Sequence, residues 1–172
     1  MGIEALPAAK SAVRRERESA EGDALLLRAA VQRFAHSFGL LITKQTPCGH
    51  PVSPSYAHCL LVLLEREDSG EETSQADLCT RLTIDKSNVA RLCSKLQSAG
   101  HAMQWADPED GRGRIVRLTQ KGRQLAMRLD ASSRERFERV LSAIAISKRP
   151  AVMNALTTLI GAVQALDHGE IG

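Results

Sequence analysis

The sequence predicts a mainly α-helical chain of six helices, interrupted once by a small β-hairpin. Three observations carry this. Apolar residues recur at spacings of three and four in successive stretches, the signature of helices with one buried face. Between Gly100 and Thr119 that spacing gives way to two strand-length segments around the turn-rich run Asp107–Gly113. The 172 residues are 43% hydrophobic and 25% charged, ordinary globular usage and enough for one buried core.

Residues 1–22 are polar and of mixed charge, and read as a flexible N-terminal arm or an extension of the first helix. From Leu27 a stripe runs through Val31, Phe34, Phe38, Leu41 and Ile42 and fades at Lys44. Two prolines and a glycine make 46–51 a loop. Ser53-Pro54 opens the second helix, serine as cap and proline in the first turn, with Ala57, Leu60, Leu61 and Leu64 inward. Ser74-x-x-Asp77 resembles a capping box and starts a short third helix with Leu78 and Leu82 inward. After a turn at Thr83-Ile84, a fourth helix begins near Asp85. Its Val89, Leu92, Cys93 and Leu96 lie at i, i+3, i+4 and i+7, and Gly100 ends it. Segments 101–106 and 114–118 form the hairpin. Thr119 caps a long helix through Leu125, Leu129, Phe137, Leu141 and Ile144. Arg149-Pro150 marks a break, and Met153, Leu156, Ile160 and Val163 form the last stripe.

Charge is uneven. The net charge of +3 conceals a window, Lys86–Arg123, where eight basic residues face three acids, the footprint of a polyanion binder. Helices three and four make a helix-turn-helix, whose second helix lies in a major groove with its N-terminal residues on base edges. With Val89, Leu92, Cys93 and Leu96 inward, Lys86, Ser87, Asn88, Arg91 and Lys95 fall on the other side. They supply cations for phosphate or guanine, an amide suited to adenine, and a hydroxyl. The hairpin, with Arg112 and Arg114 at its turn, has the form of a wing reaching the adjacent minor groove. Five aromatic residues are too few for the stacking platforms that single strands and RNA require.

These residues resemble the MarR family of bacterial winged-helix transcriptional regulators. The likeness is carried by Ser74-Gln-Ala-Asp-Leu-Cys, Ile84-Asp-Lys-Ser-Asn-Val-Ala-Arg-Leu, Lys95-Leu-Gln-Ser-Ala-Gly100, Asp107-Pro-Glu-Asp-Gly-Arg-Gly-Arg-Ile-Val-Arg-Leu-Thr119 and Lys121-Gly122. It spans roughly Leu25–Leu166. It implies a six-helix winged helix-turn-helix, dimeric, that binds palindromic double-stranded DNA as a homodimer, usually as a repressor released by a small molecule or by thiol oxidation. Residues 53–119 would be the DNA-binding domain. Residues 23–45 and 148–172, with 120–147, would be the dimerisation helices. Arg112 would be the wing arginine and Asp110 the acid that orients it. The sequence departs from the family pattern at the first wing strand, where Gln104 and Trp105 replace basic residues, and at the glycines flanking Arg112.

Most of the few aromatics fall in the first two helices. A small aromatic ligand is therefore expected near Phe34, Phe38, Tyr56 and His58. Cys48, in a loop beside His50, is the candidate oxidant-sensing thiol. Cys48-x-His50 and His58-Cys59 pair donors that suit zinc, but the spacing matches no closed site, so neither metal nor cofactor is assigned. No nucleotide-binding or esterase motif occurs. An enzyme using Cys48 or Cys59 with histidine, and a winged helix that binds only protein, are the competing classes. The longest apolar run, Cys59–Leu64, is far short of the ~20 residues that span a bilayer. With no export signal read, a cytoplasmic protein with reduced thiols is expected.

Overall fold

The computed structural model describes residues 6–108 and 113–167. Its elements are α1 (Leu6–Phe38), α2 (Pro54–Asp68), α3 (Gln75–Leu82), α4 (Lys86–Ser98), β1 (Ala102–Ala106), β2 (Arg114–Leu118), α5 (Gln120–Ser142) and α6 (Arg149–Asp167). The chain divides into two compact units, Met1–His58 and Cys59–Gly172, with the boundary inside α2.

In the first unit α1 is longer than its stripe. Of the two readings of this segment, arm or helix extension, residues 6–22 take the second and are helical from Leu6. The segment is rich in alanine, arginine and glutamate, which favour helix, and Pro7 falls in the first turn, where a proline is tolerated. The helix also stops earlier than the stripe. Gly39 takes φ +81°, and its N–H and that of Leu40 bond back to the His36 and Ala35 carbonyls. Leu41 and Ile42 therefore lie beyond the helix. Thr46 closes the following loop. Its N–H donates to the His50 carbonyl, and its hydroxyl accepts from the His50 N–H at 3.0 Å. Ser53 caps α2 as expected, its hydroxyl accepting from the Tyr56 N–H at 3.3 Å.

The second unit holds the core. Cys59, Leu60 and Leu63 of α2 are buried, with Leu78 of α3 and Val89, Cys93 and Leu96 of α4. Val116 of β2 and Ala126 and Leu129 of α5 complete the set. Each full burial of a large aliphatic side chain contributes ~1.5–3 kcal/mol. Ser74 caps α3 in a two-way capping box with Asp77. β1 and β2 pair antiparallel, Ala102 opposite Leu118 and Ala106 opposite Arg114. The segment before α3 adds to the sheet edge, the Val116 N–H donating to the Thr73 carbonyl.

Two charged residues at the end of α2 tie this unit together. Arg66 donates to the Thr73 hydroxyl at 2.9 Å and the Glu72 carbonyl at 2.6 Å, and pairs with Glu71 at 2.7 Å. Glu67 accepts from the Leu118 N–H at 2.6 Å and from Arg123 at 3.3 Å. One turn of α2 thus anchors the lead into α3, the end of the hairpin and the start of α5.

The break before the last helix differs from the expected one. α5 ends at Ser142, leaving Ile144 outside, and a 3₁₀ turn over Ile146–Lys148 follows. Pro150 begins the last helix instead of ending the long one, in the first-turn position where its missing N–H costs nothing.

Candidate nucleic-acid interface

Between α3 and α4 the chain turns sharply at Thr83, with φ 53° and ψ 47°. A β-branched residue in this left-handed region is unusual. Asp85 then caps α4, one carboxylate oxygen accepting from the Asn88 N–H at 2.9 Å. That oxygen also takes the Ser87 hydroxyl at 2.6 Å, and the other oxygen takes the Asn88 side-chain amide. The Ser87 bond is the largest cause that lowers the Asp85 pKa, to about 2. The group is a carboxylate at any physiological pH.

The faces of α4 separate as the spacing predicts. Val89, Leu92, Cys93 and Leu96 are buried, while Lys86, Ser87, Asn88, Arg91 and Lys95 are all exposed. Arg91 lies along the helix. Its Nε donates to the Ser87 carbonyl at 3.4 Å and its Nη2 to Asn88 Oδ1 at 2.9 Å. Arg114 is exposed at the start of β2, and the wing turn closes with the Asp107 N–H on the Gly113 carbonyl at 3.0 Å. Arg112 and Asp110, the expected wing arginine and its orienting acid, lie outside the described residues.

Three glutamines join the wing to the helix-turn-helix. Gln75 of α3 donates to Gln104 of β1 at 2.7 Å, and Gln104 donates to Gln97 of α4 at 2.9 Å. The residue that departs from the family's basic pattern therefore fastens the wing strand to both helices. No local pattern marks this relay, because its members are far apart in sequence.

The basic window supplies fewer free cations than its count. The Arg117 guanidinium lies 5.7 Å from the Trp105 ring centroid and pairs with Glu72. Lys121 donates to the Ala99 carbonyl at 2.8 Å. Arg123 pairs with Glu67 and Asp68. Those three are engaged with the scaffold. Lys86, Arg91, Lys95 and Arg114 have no carboxylate partner among the described residues.

The other candidate residues fall elsewhere. Phe34 and Phe38 stack, centroids 5.3 Å apart at 24°, and Phe34 is 52% exposed. Tyr56 is half-buried in the first turn of α2, and His58 is exposed. Cys48 is half-buried in its loop, as is Cys79 on α3, whereas Cys59 and Cys93 are buried. The Cys59 thiol bonds to that of Cys93, and this bond and burial push its pKa up. A thiol so held is no nucleophile, which removes Cys59 from the enzyme reading. Among the described residues no group of three or more histidine, cysteine, aspartate or glutamate side chains can hold a metal. No described helix is long and apolar enough to cross a membrane.

Residues 50–113, which include the helix-turn-helix and reach into the wing, match the model of the MarR family. Over that stretch the chain is similar to the MarR family. The chain is 32% identical over 103 residues to the uncharacterized HTH-type transcriptional regulator YdgJ of Bacillus subtilis (strain 168). That match covers 58% of this chain and 59% of the relative, less than two thirds of its length. Among solved structures, the S. aureus MepR–DNA complex superposes with a TM-score of 0.65 at 16% identity, covering 81% of this chain and 96% of that one. The PcaV transcriptional regulator of Streptomyces coelicolor, in complex with its natural ligand, gives 0.60 at 24% identity over 80% and 91%. At these identities the structures speak for the MarR winged-helix fold alone.

Proposed function

We propose that this chain is a DNA-binding transcriptional regulator of the MarR family, acting as a repressor on a palindromic duplex operator, in the cytoplasm. The observation that carries the reading is the polar face of α4. Five side chains suited to phosphate and base edges stand exposed on it, and its other face is sealed into the core. Lys86 and Lys95 serve as phosphate contacts, and Ser87 and Arg91 face the bases, with Asn88 beside them on the same face. Arg114 and Arg112 extend the contact along the wing, Arg112 oriented by Asp110 in the minor groove, where narrow A·T-rich DNA attracts arginine. The relative MepR is described in complex with DNA, which supports the same use of the fold here.

Residues 53–119 are the reading domain, and the helices within 23–45, 120–147 and 148–172 join two copies. Leu27, Val31 and Phe34 on α1, and Met153, Leu156, Ile160 and Val163 on α6, are exposed. Stripes of this size are left bare on few monomers. A two-fold dimer matches a palindromic site. Release is assigned to a small aromatic ligand near Phe34, Phe38, Tyr56 and His58. The Phe34–Phe38 stack, with Phe34 exposed, and the ligand complex of the relative PcaV support this.

Gel retardation on duplexes from the neighbouring intergenic DNA tests the reading. Retardation should weaken steeply with salt, the mark of phosphate contacts. Sedimentation should give twice the 18.7 kDa chain mass, and phenolic acids should release the complex. Failure to retard any duplex at low salt would leave the fold as a protein-binding module. Release by oxidants, with no response to phenolic acids, would move the switch to Cys48.

A further inference from the structure

The exposed face of α4 is internally bonded before any partner arrives. Asp85 is fully ionised and can only accept, and Arg91 can only donate. The Asn88 amide between them therefore has one possible orientation, its NH₂ toward Asp85 and its oxygen toward Arg91. Reading adenine requires an asparagine to offer that same donor and acceptor together to the N7 and N6 of one base. Asn88 already spends one N–H on Asp85 and one carbonyl lone pair on Arg91, so its amide plane is fixed by its own helix and is not free to turn toward a base.

Arg91 is committed on one side only. Its Nε and Nη2 face the Ser87 carbonyl and Asn88 Oδ1. The other edge of the guanidinium, Nη1 with the second Nη2 hydrogen, keeps the two-donor fork that fits guanine O6 and N7. Holding one edge of a flexible arginine on its own helix also lowers the rotamer entropy lost when the other edge binds.

We infer that Asn88 is a positioning residue, fixed by Asp85, that aims Arg91, and that Arg91 reads a guanine in each half-site. This rests on the DNA-binding reading above and assigns which of the exposed residues carries sequence preference. Asp85, an acid in a phosphate-facing segment, then has a purpose beyond capping: it closes the relay Asp85–Asn88–Arg91. Lys86 and Lys95 remain sequence-indifferent.

Selection from a random duplex library tests this with the full chain and three variants. Wild type should enrich one guanine per half-site. Arg91→Ala should lose about tenfold or more of the preference at that position and leave the others unchanged. Asn88→Ala and Asp85→Asn should each reduce the same guanine preference by about threefold to tenfold, the weight of one ordinary hydrogen bond. Asparagine caps a helix as well as aspartate, so Asp85→Asn keeps α4 intact. An adenine preference that Asn88→Ala abolishes while guanine persists would overturn the assignment.

The relay itself is read in the DNA-free protein. Asp85→Asn should shift both the Asn88 side-chain amide and the Arg91 Nε–H resonances; if neither moves, there is no relay. Wild type that retards no duplex would overturn the DNA reading, and with it the role of Arg91, while the side-chain resonances still report on the relay separately.

Discussion

A methyl group added at Gly122 has no space. Gly122 stands in the first turn of α5, its N–H donating to the Thr119 hydroxyl at 3.0 Å. A Cβ at this position falls 1.8 Å from the His101 carbonyl oxygen, 2.7 Å from its carbon and 3.0 Å from its Cα. All three are backbone atoms and cannot swing aside as a side chain would. Restoring van der Waals contact requires a separation of roughly 1.5 Å more. Two short links cannot survive that shift: the Thr119 N–H to the His101 carbonyl at 3.0 Å and the Thr119 hydroxyl to the Gly100 carbonyl at 2.7 Å. At about 1 kcal/mol each they account for ~2 kcal/mol. Residual overpacking adds ~1–3 kcal/mol, and the better helix propensity of alanine returns up to ~1 kcal/mol. The expected net loss for Gly122→Ala is about 2–4 kcal/mol. At ~2–4 °C per kcal/mol for a chain of this size, Tm falls by roughly 5–15 °C. Urea unfolding followed by far-UV circular dichroism measures it. Gly161→Ala in α6 is the control, because nothing lies within 4 Å of a Cβ there and the position is off the apolar stripe. It should leave stability unchanged or raise it by up to ~1 kcal/mol. Gly122→Ala unfolding within 0.5 kcal/mol of wild type, on the ~1 kcal/mol scale of one hydrogen bond, would refute the close docking of α5 on His101.

Thr83→Asn should stabilise the chain by about 1 kcal/mol, because asparagine accepts the left-handed backbone that threonine resists; an unchanged urea midpoint would argue against strain in the turn. The Asp85 carboxyl sits at about 2 when folded, below its unfolded range. Its contribution is present above pH ~4 and is lost as pH falls through 2. Asp85→Asn should therefore flatten the acid limb of the stability profile between those values, and an unaltered limb would show that the cap does not titrate there. A thiol reagent should modify Cys48 and Cys79 of the native protein quickly, and Cys59 and Cys93 only on unfolding, since the first two are half-buried and the others buried. Four equal rates would be incompatible with a closed core around Cys59 and Cys93.

Element order was legible because its signals are local. The Ser74–Asp77 capping box, the Thr119 cap, the Gly100 stop and the apolar spacing of α4 each act within one or two helical turns. The structure bears them out as written. Boundaries were less legible where two local signals compete. The α1 stripe runs on to Ile42, yet Gly39 ends the helix, because a left-handed glycine closes the last carbonyls whatever the following side chains prefer. Pro150 reads as a break but begins α6, since a proline stops one helix and starts another with the same fixed φ.

The five exposed residues of α4 could be placed on one face from spacing alone, since 3.6 residues per turn leaves them little choice. Their bonding could not. Asp85 reads only as the point near which α4 begins, and its hold on Asn88 depends on rotamers that spacing does not specify. Arg66 and Glu67 carry no sequence signal, and Gln104 reads only as a departure from the basic wing strand, yet they fasten α2 to the lead of α3, the hairpin to α5, and the wing to α4. Counting charge treated Arg117, Lys121 and Arg123 as part of a basic surface. Folding brings Glu72, the Ala99 carbonyl, Glu67 and Asp68 to them, whereas Lys86, Arg91, Lys95 and Arg114 have no carboxylate partner among the described residues, and Arg91 bonds within its own helix. Helical period and capping depend on neighbours a few residues away, so the chain order encodes them directly. Hydrogen bonds and ion pairs across 22 to 56 residues exist only once burial has brought those segments within about 3 Å of each other.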